Sequence, residues 1–287
     1  MDTSRFRVRP GEMVRLRRRA TDDTRPFNHK RKAVDKLKRG LERLVKLQEL
    51  LYAENRWSLL LIFQGMDAAG KDSAVKHVMS GLNPQGTQVY SFKRPSDEEL
   101  DHDYLWRSVK ALPSRGRIGI FNRSYYEEVL VVKVHPEVLA AQKLPPPLMT
   151  PRIWAQRYED INAFERYLTR NGTVIRKFFL HISKDEQRRR LLERLDEPAK
   201  NWKFQAGDLD ERDRWDEYQR AYEQMLSKTS TRHAPWFVVP ADHKWFTRIA
   251  IAELIGEALG GLDLAFPRPS KEQLVALAGA RRRLARS

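Results

Sequence analysis

Hydrophobic residues in this chain follow two alternating patterns. Five short segments, at 58–64, 87–92, 117–121, 174–182 and 236–239, are rich in apolar residues. Between them lie longer stretches in which apolar residues recur every three or four positions, as on one face of an amphipathic helix. Short apolar strands that alternate with helices are typical of a parallel sheet covered on both faces. We therefore expect an α/β fold, with a five-stranded parallel sheet between two layers of helices.

Several of the expected helices have recognisable ends. Ser96 with Glu99, and Ser183 with Glu186, form the capping-box pattern that opens a helix. The prolines in 143–151 predict a rigid connection that is not helical. On these signals and on the periodicity, we place helices at about 30–54, 73–82, 96–112, 153–168, 184–195, 208–227 and 247–259.

A phosphate-binding motif directly follows the first predicted strand. The stretch 65–73, Gly-Met-Asp-Ala-Ala-Gly-Lys-Asp-Ser, satisfies the first seven positions of the Walker A pattern, and Asp72 stands where that pattern has Ser or Thr. The glycines let the backbone curl so that N–H groups face a phosphate, and the next helix adds its positive end. Lys71 is expected to neutralise the terminal phosphates. The predicted phosphate contacts are Gly65, Ala68, Ala69, Gly70, Lys71, Asp72 and Ser73.

Asp67 is unusual inside such a loop, because its carboxylate repels the phosphate that the loop binds. A cation between the two removes the repulsion, and Mg²⁺ is the natural candidate. Since Asp72 replaces the residue that ligates Mg²⁺ in ordinary P-loop enzymes, we expect the metal site to be built on Asp67. The simpler alternative is that Asp67 caps the following helix.

Polar residues follow the third predicted strand, at the edge of the sheet where parallel strands bind ligands. Arg123 could clamp a transferring phosphoryl group there. Asn122 is a candidate neutral metal ligand, and Glu127 or Glu128 could supply negative charge. The alternative is that Asn122, Arg123 and Ser124 only end the strand and cap a helix.

Taken together, these motifs resemble the polyphosphate kinase type-2 family. The resemblance rests on Gly65-x-Asp67-x-x-Gly70-Lys71, on Phe92-Lys93-Arg94-Pro95, on the stretch 122–127, and on 179–190 with 198–204. It covers about residues 30–260. It implies a thymidylate-kinase-like P-loop fold of three layers (α/β/α), with a helical lid at about 184–207. It also implies phosphoryl transfer between inorganic polyphosphate and nucleotides, with Mg²⁺ as cofactor and Mn²⁺ as a substitute.

The resemblance also assigns roles to residues. Asp67 takes the family's loop-acid role, and Lys71 and Arg123 bind phosphate. Many members carry Asp where this chain has Asn122, so the metal ligand that accompanies Asp67 stays open between Asn122 and Glu127. The segment 122–130 looks most like the subgroup that phosphorylates both AMP and ADP. Adenine nucleotides are therefore the expected acceptors, with guanine nucleotides as a second option.

Basic residues around the motifs are candidates for holding a phosphate polymer. Arg188, Arg189, Arg190 and Arg194 share one predicted helix of the lid, and their spacing spreads them over more than one face. We expect Arg189 and Arg190 to point into the site. A polymeric donor also needs a positive track that leads away from the loop, for which the candidates are Lys76, Lys93, Arg94, Arg188, Lys200 and Lys203.

The charge of the chain is concentrated at its ends. The 287 residues include 54 Lys and Arg against 38 Asp and Glu, a net charge of +16, and no Cys, which excludes disulfides and thiolate chemistry. The first 40 residues alone hold 14 basic and five acidic side chains. Such termini attract polyanions. We divide the chain into a basic arm at 1–28, a P-loop kinase domain at 29–265 and a basic tail at 266–287.

The sequence also bears on location and assembly. Its apolar runs are too short to cross a membrane, and the Arg-rich start lacks the apolar core of a secretory signal, so we expect a cytoplasmic protein. The family resemblance implies a homo-oligomer, either a dimer or a tetramer. The aromatic helix with Trp154, Tyr158, Phe164 and Tyr167 could form that interface or belong to the core.

Two other functions remain open at this point. An ATP-dependent nucleoside or nucleotide kinase would explain the loop and the lid, but not Asp67. A P-loop protein that binds nucleic acid through its basic ends would show strongly salt-dependent binding, yet the chain has no known nucleic-acid-binding motif. A polyphosphate-dependent nucleotide kinase is the reading that accounts for all the motifs.

Overall fold

The computed structural model describes residues 1–27 and 29–286. Its sheet contains β1 (Ser58–Gln64), β2 (Thr87–Ser91), β3 (Ile118–Asn122), β4 (Thr173–His181) and β5 (Trp236–Pro240). The strand order is β2-β3-β1-β4-β5, and all neighbouring strands are parallel. The predicted five-stranded parallel sheet is therefore confirmed, with each strand close to its expected position.

The helices of the described residues account for the periodic segments. They are α1 (Lys30–Glu54), α2 (Lys71–Val78), α3 (Asp97–Leu100), α4 (Trp106–Lys110), α5 (Val131–Val134), α6 (Pro136–Ala140), α7 (Ile153–Arg170), α8 (Lys184–Asp196), α9 (Gly207–Asp213), α10 (Trp215–Thr229), α11 (Lys244–Gly260) and α12 (Lys271–Leu284). Short 3-10 helices lie at Tyr125–Val129 and Pro198–Lys203. The second of these follows α8 in the predicted lid.

Helices cover both faces of the sheet. The helices α1, α2 and α11 pack together, and α11 lies against β4 and β5. The helices α7 and α10 pack on each other, and α7 also lies against β4. Successive side chains of β4 show that these two groups of helices lie on opposite faces of the sheet. Arg176 lies near Glu257 of α11, whereas the next residue, Lys177, contacts Glu165 of α7. The fold is thus a three-layer α/β/α sandwich. Because all five strands are parallel, their carboxyl ends lie together on one side of the sheet.

The first 27 residues, which belong to the predicted basic arm at 1–28, pack on the domain; Asn28 lies outside the described residues. Phe6, Val8, Val14 and Leu16 are each at most 3% exposed and join the hydrophobic core. The Val8 N–H donates to Trp236 O at 2.9 Å, so the segment covers the outer edge of β5. Sequence reasoning missed this because the four apolar residues are scattered among arginines.

Two predicted helices are each divided in the structure, so those two predictions are wrong. The segment 96–112 contains α3 and α4, because the Asp103 carboxylate accepts from the Leu105 N–H at 2.9 Å and forms a turn between them. The segment 208–227 contains α9 and α10, which are separated at Arg214 with ψ at 19°. Ser96 and Ser183 each accept from the N–H three residues later, as predicted, and Ser96 with Glu99 forms the complete capping box. The Ser183 N–H donates to Asp242 at 2.8 Å, so the second box is only half formed.

The remaining expectations on helices concern the C-terminus and the aromatic helix. The predicted tail contains α12, whose side chains are almost all exposed; Ser287 lies outside the described residues. Trp154, Tyr158 and Phe164 pack in or against the core, whereas Tyr167 is 64% exposed. Among the helices of residues 1–27 and 29–286, none has both the length and the apolar character required to cross a membrane.

Candidate active site

The phosphate-binding loop connects β1 to α2 in the predicted way. Gly65 has φ at +156°, and a Cβ at this position would lie 2.9 Å from Leu180 O, so a side chain has no room there. Gly70 has φ at +101° and is the N-cap residue of α2, without a side-chain cap. The alternative that Asp67 caps this helix is therefore wrong. The loop leaves the carboxylate of Asp67 free for other partners.

Lys71 folds back across the loop. Its Nζ donates to Gly65 O at 2.6 Å and to Met66 O at 3.2 Å. Burial lowers the pKa of Lys71, and the nearby Asp67 carboxylate partly offsets this effect. The ammonium group is thus held at the mouth of the loop, where it can exchange carbonyl partners for phosphate oxygens.

Asp67 is paired with a cation of the protein. The Arg123 Nη2 donates to Asp67 Oδ1 at 2.9 Å, and Arg123 Nη1 lies 3.4 Å from Glu127 Oε2. The attraction of Glu127 raises the pKa of Arg123, burial acts against it, and Asp67 raises the pKa further. The sequence prediction that Asp67 needs a cation is consistent with this geometry, but the cation in the structure is Arg123.

Two alternatives were considered for the residues after β3: a guanidinium group at the phosphate site, or a strand end with a helix cap. The structure contains features of both. Ser124 accepts from the Tyr126 N–H at 3.2 Å and so caps the 3-10 helix Tyr125–Val129. Arg123 immediately before it has φ at +63°, which directs its side chain to Asp67. The segment therefore ends the strand, caps a helix and places a guanidinium group at the loop.

Asn122 and Asp72 form a second contact between β3 and the loop. The Asn122 Nδ2 donates to Asp72 Oδ1, while Asn122 Oδ1 is buried and has no hydrogen-bond partner. Asn122 itself is 9% exposed. The contact gives Asp72 a role that the Walker A comparison did not predict, because it orients Asn122.

The oxygen atoms near the loop fit Mg²⁺, which prefers carboxylate and amide oxygens together with water and substrate phosphates. The unpartnered Asn122 Oδ1 is one such atom, and Asp67, Asp72 and Glu127 offer carboxylates. Within the described residues, no three His, Cys, Asp or Glu side chains are grouped closely enough to hold a metal ion by themselves. A bound ion would thus need oxygens from phosphate or water in addition to those of the protein.

Arg190 holds the loop from the lid side. Its guanidinium group donates to the backbone oxygens of Ala68 and Ala69 at 3.0 Å, and to those of Ala241 and Asp242 at 2.6 and 3.0 Å. The residue is 4% exposed. We expected Arg190 to point into the phosphate site, and it does reach the loop. Its Nη donors, however, are engaged with these carbonyl groups, and its Nε donates to Glu186 Oε1 at 2.7 Å, so it braces the loop.

Two other arginines of α8, Arg188 and Arg189, lie on its outer faces. Arg189 donates to Glu186 at 2.7 Å and to Glu193 at 3.3 Å, and its side chain is 60% exposed. Arg188 is exposed. The expectation that Arg189 points into the site does not hold in this arrangement, because the acidic residues one turn away on the same helix hold it at the surface.

The remaining track candidates are distributed over several elements. Lys76 is exposed on α2, and Lys93 and Arg94 line a large cavity next to the loop. Lys200 forms ion pairs with Glu193 and Glu197, whereas Lys203 lies over the ring of Trp202. Lys93 and Arg94 are thus the candidates that the structure brings to the site.

Two cavities meet at Arg123 and Glu127, which line both of them. The larger has a volume of about 770 Å³ and extends from Phe92 towards α6. The smaller has a volume of about 230 Å³ and contains the side chain of Asp67. A group held at Arg123 can therefore be approached from two sides.

The floor of the larger cavity contains a buried acid that sequence reasoning weighed only as an alternative. Glu128 is 5% exposed, lies 3.2 Å from an Nη atom of Arg157, and accepts from Gln142 at 3.0 Å. Burial raises the pKa of Glu128 in spite of Arg157. Glu128 thus lies inside the cavity wall, and Glu127 is the acid that faces Arg123.

Several residues of the site were missed from the sequence. Asp208, Glu211, Tyr218 and Tyr222 of α9 and α10 line the smaller cavity. Burial raises the pKa of Asp208, and the nearby Asp67 adds to this effect. The spacing of the two tyrosines was visible in the sequence, but it is equally typical of a helix face packed on the core.

A further missed residue lies on α11. Arg248 Nη2 donates to the hydroxyl of Ser73 at 2.9 Å. This adds a guanidinium group beside the first turn of α2, next to the predicted phosphate contacts. No local sequence signal could have identified it, because the two residues are 175 positions apart.

Known proteins resemble this chain over most of its length. An ADP-polyphosphate phosphotransferase from Rhodopseudomonas palustris is 52% identical over 266 residues, which make up 92% of this chain and 92% of that protein. An AMP/ADP-polyphosphate phosphotransferase from Meiothermus ruber is 46% identical over 266 residues, which make up 92% of this chain and 96% of that protein.

The fold and the sequence family lead to the same assignment. The crystal structure of Polyphosphate Kinase 2 from Arthrobacter aurescens has a TM-score of 0.90 and 41% identity, with 100% of this chain and 98% of that chain covered. The family model described as Polyphosphate kinase 2 matches residues 28–264. The sandwich with its phosphate-binding loop is a P-loop kinase fold, and the chain belongs to the polyphosphate kinase 2 family.

Proposed function

We propose that this chain transfers phosphoryl groups between inorganic polyphosphate and adenine nucleotides, AMP, ADP or both, by Mg²⁺-dependent in-line transfer. Family membership and the named activities of its relatives support the reaction. The observation that carries the mechanism is the position of Arg123, which is bonded to Asp67 of the phosphate-binding loop and borders both cavities. The Arg123 guanidinium group thus lies between the larger and the smaller cavity.

The phosphate-binding loop would hold the donor phosphates. Phosphoryl transfer needs positioned reactants and positive charge around the moving group, rather than covalent help from the protein. The backbone N–H groups of the loop and Lys71 supply that charge on the donor side. Arg123 supplies it at the junction of the cavities, and Arg248 lies beside Ser73 at the start of α2.

The larger cavity would hold the acceptor nucleotide. Its volume of about 770 Å³ suits a ligand of this size. Apolar and aromatic side chains such as Phe92 and Tyr104 offer surface for a base, while Lys93 and Arg94 offer charge for phosphates. The terminal phosphate would then lie at Arg123, where the acceptor oxygen can meet the donor.

Mg²⁺ would be held by oxygens of Asp67, Asp72, Asn122 and Glu127, with Mn²⁺ as a substitute. When bound, the ion would neutralise charge on the transferring phosphates. The side chains also orient one another. Asp72 does so by accepting from Asn122 Nδ2, which leaves Asn122 Oδ1 unpartnered.

We also propose that the enzyme acts in the cytoplasm as a homo-oligomer, a dimer or a tetramer, and accepts guanine nucleotides in addition to adenine nucleotides. Light scattering coupled to size-exclusion chromatography tests the assembly. Parallel assays with GDP and ADP test the choice of base.

One assay tests the reaction itself. Purified protein is mixed with Mg²⁺, long-chain polyphosphate and either AMP or ADP, with no ATP added, and the products are separated by anion-exchange chromatography. We expect ATP from ADP, and ADP followed by ATP from AMP. The matched control is Lys71→Met, which should make neither. If the wild type makes no nucleotide from polyphosphate but phosphorylates nucleosides or nucleotides with ATP, the proposal is wrong.

A further inference from the structure

A fully buried ion pair lies behind the segment that carries Arg123. Glu165 of α7 and Lys177 of β4 have side chains with 0% exposure, and Lys177 Nζ donates to Glu165 Oε2 at 2.6 Å. Both residues lie between the sheet and the layer formed by α7 and α10. Neither residue lines either of the two cavities at Arg123.

Two tyrosines complete the hydrogen bonding of this pair. Glu165 Oε1 accepts from the hydroxyl of Tyr125 at 2.9 Å and from that of Tyr126 at 2.7 Å. Lys177 Nζ also donates to the Tyr126 hydroxyl and to Thr229 O, each at 2.7 Å. Burial raises the pKa of both tyrosines well above the usual value, and Glu165 raises it further, so both hydroxyls remain protonated donors.

The tyrosines belong to the same short turn as the site residues. We call residues 122–127 the Arg123 turn. The hydroxyls of Tyr125 and Tyr126 reach from this turn to the buried ion pair, and the Tyr125 side chain also borders the larger cavity. Arg123 and Glu127 line both cavities and pair with each other at 3.4 Å. The backbone from Arg123 to Tyr126 therefore connects the ion pair to the site.

The backbone of the Arg123 turn needs support. Arg123 has φ at +63°, a conformation that is unfavourable for a residue with a side chain and persists only where the surroundings hold it. Gln64 donates to the Ser124 hydroxyl at 3.2 Å on one side of the turn. The hydroxyls of Tyr125 and Tyr126 hold the next two residues to Glu165.

Stability alone does not explain this ion pair. Burying two charges removes them from water, and apolar residues of similar volume often stabilise a core equally well or better. Hydrogen bonds differ from apolar packing because they are directional. A carboxylate that accepts from two neighbouring hydroxyls fixes the orientation of both rings, and with them the path of the backbone between β3 and the 3-10 helix.

We propose that Glu165 and Lys177 are positioning residues for phosphoryl transfer. Through the hydroxyls of Tyr125 and Tyr126 they hold the Arg123 turn, so that the Arg123 guanidinium stays at Asp67 and at the junction of the two cavities. This inference rests on the proposed function. It assigns a role in turnover to two residues that do not touch the substrates.

Two variants break the network in different ways. Tyr125→Phe with Tyr126→Phe removes both hydroxyls and keeps the rings in the core. Glu165→Leu with Lys177→Met replaces the charges by apolar groups of similar size. In both double variants we expect kcat with polyphosphate and ADP to fall about tenfold to a hundredfold, because small displacements of a reacting group cost this much. The KM values should change far less, since the phenylalanine ring keeps the apolar surface that Tyr125 gives the larger cavity, and Glu165 and Lys177 line neither cavity.

A matched control loses a buried hydrogen bond elsewhere. Ser58 is 3% exposed and donates to the Thr173 hydroxyl at 3.1 Å. The two residues begin β1 and β4, so they lie at the opposite end of the strands from the site. Ser58→Ala should keep the wild-type kcat. Circular dichroism and thermal unfolding of every variant show whether it is folded at the assay temperature. If the apolar double variant does not fold, the phenylalanine double variant still tests the same contacts.

The decisive measurement is a mutant cycle with Arg123→Ala. If the network acts through Arg123, the phenylalanine double variant should lower kcat only when Arg123 is present, and the effects should not add. Additive losses in the Arg123→Ala background, or variants that change only the melting temperature, would overturn the positioning role. A wild type with no activity on polyphosphate would instead refute the proposed function, so the two failures can be told apart.

Discussion

At the scale of single residues, the loop acid Asp67 combines two demands. It pairs with Arg123 at 2.9 Å, and in the proposed mechanism its carboxylate also holds Mg²⁺. Asp67→Asn keeps the size of the side chain and removes the charge. We expect kcat to fall by about a hundredfold or more, a loss comparable with removing one stabilising group from a transition state. Turnover measured across a Mg²⁺ titration tests this.

The fold of this variant should be unchanged, because Asp67 contributes charge and not packing. Thermal unfolding of Asp67→Asn alongside the wild type provides that control. A variant that keeps full activity at low Mg²⁺ would contradict the metal role of Asp67.

Arg190 is a second residue whose role is decided by its contacts. Its guanidinium group serves four backbone oxygens from two separate loops. Arg190→Lys keeps the charge but loses the planar fork, so carbonyl groups are left without donors. We expect a loss of about 3 kcal/mol in the free energy of unfolding. Urea unfolding followed by tryptophan fluorescence measures it.

The neighbouring Arg188 provides the matched comparison. It is on the same helix, carries the same charge and is exposed. Arg188→Lys should change the free energy of unfolding by less than about 0.5 kcal/mol. Equal losses for the two variants would mean that the carbonyl contacts of Arg190 do not stabilise the loop.

At the scale of elements, His135 connects α9, which follows the predicted lid, to the start of α6. Its Nε2 lies 3.1 Å from the Glu211 carboxylate and its Nδ1 lies 2.9 Å from Glu137 Oε1. Burial alone would lower the pKa of His135, and Arg214 acts in the same direction. The hydrogen bonds to the two carboxylates outweigh these effects and raise the pKa above its usual 6.5.

This shift predicts a pH dependence with a definite sign. A histidine whose pKa is higher in the folded state stabilises the fold fully below pH 6.5, and this contribution is lost as the pH rises through the folded-state pKa. The difference in the free energy of unfolding between the wild type and His135→Asn should therefore shrink as the pH rises above 6.5. Urea unfolding at several pH values measures it. In a Glu211→Gln background the pH dependence should weaken, and an unchanged dependence would contradict the assignment.

At the scale of the whole molecule, the first 27 residues complete the core. Phe6, Val8, Val14 and Leu16 are buried, and the segment bonds to the edge strand β5. Deleting residues 1–27 would expose these contacts and leave a strand edge free to pair with other chains. We expect a loss of about 6 kcal/mol or more in stability, from about 1.5 kcal/mol for each buried side chain, together with aggregation.

The opposite end of the chain supplies the control. The side chains of α12 are almost all exposed in the described part of the chain. Deleting residues 271–287 should therefore leave the melting temperature of the monomeric domain nearly unchanged. Differential scanning calorimetry of the two truncated proteins compares them directly. Equal destabilisation by both deletions would contradict the view that only the N-terminal segment belongs to the core.

How much of this could be predicted from the sequence depends on how far apart the interacting residues are. The phosphate-binding loop, its glycines and the capping contacts of Ser96 and Ser183 involve residues within a few positions of each other. Local backbone geometry depends on such neighbours, so a pattern of residues is sufficient to predict it. The short apolar segments also predicted the strands of the sheet, because the apolar residues of such a segment are those that the sheet buries.

Contacts between distant residues were decided only in the tertiary structure. The pairing of Asp67 with Arg123 spans 56 positions and depends on the φ of +63° at Arg123. Which arginine of α8 reaches the loop depends on how that helix is rotated against the sheet, and a spacing of one residue separates the buried Arg190 from the exposed Arg189. The sequence thus determined the phosphate-binding loop and the kind of fold around it. Packing determined which charges meet there, because the rotation and separation of whole elements depend on all of their contacts together.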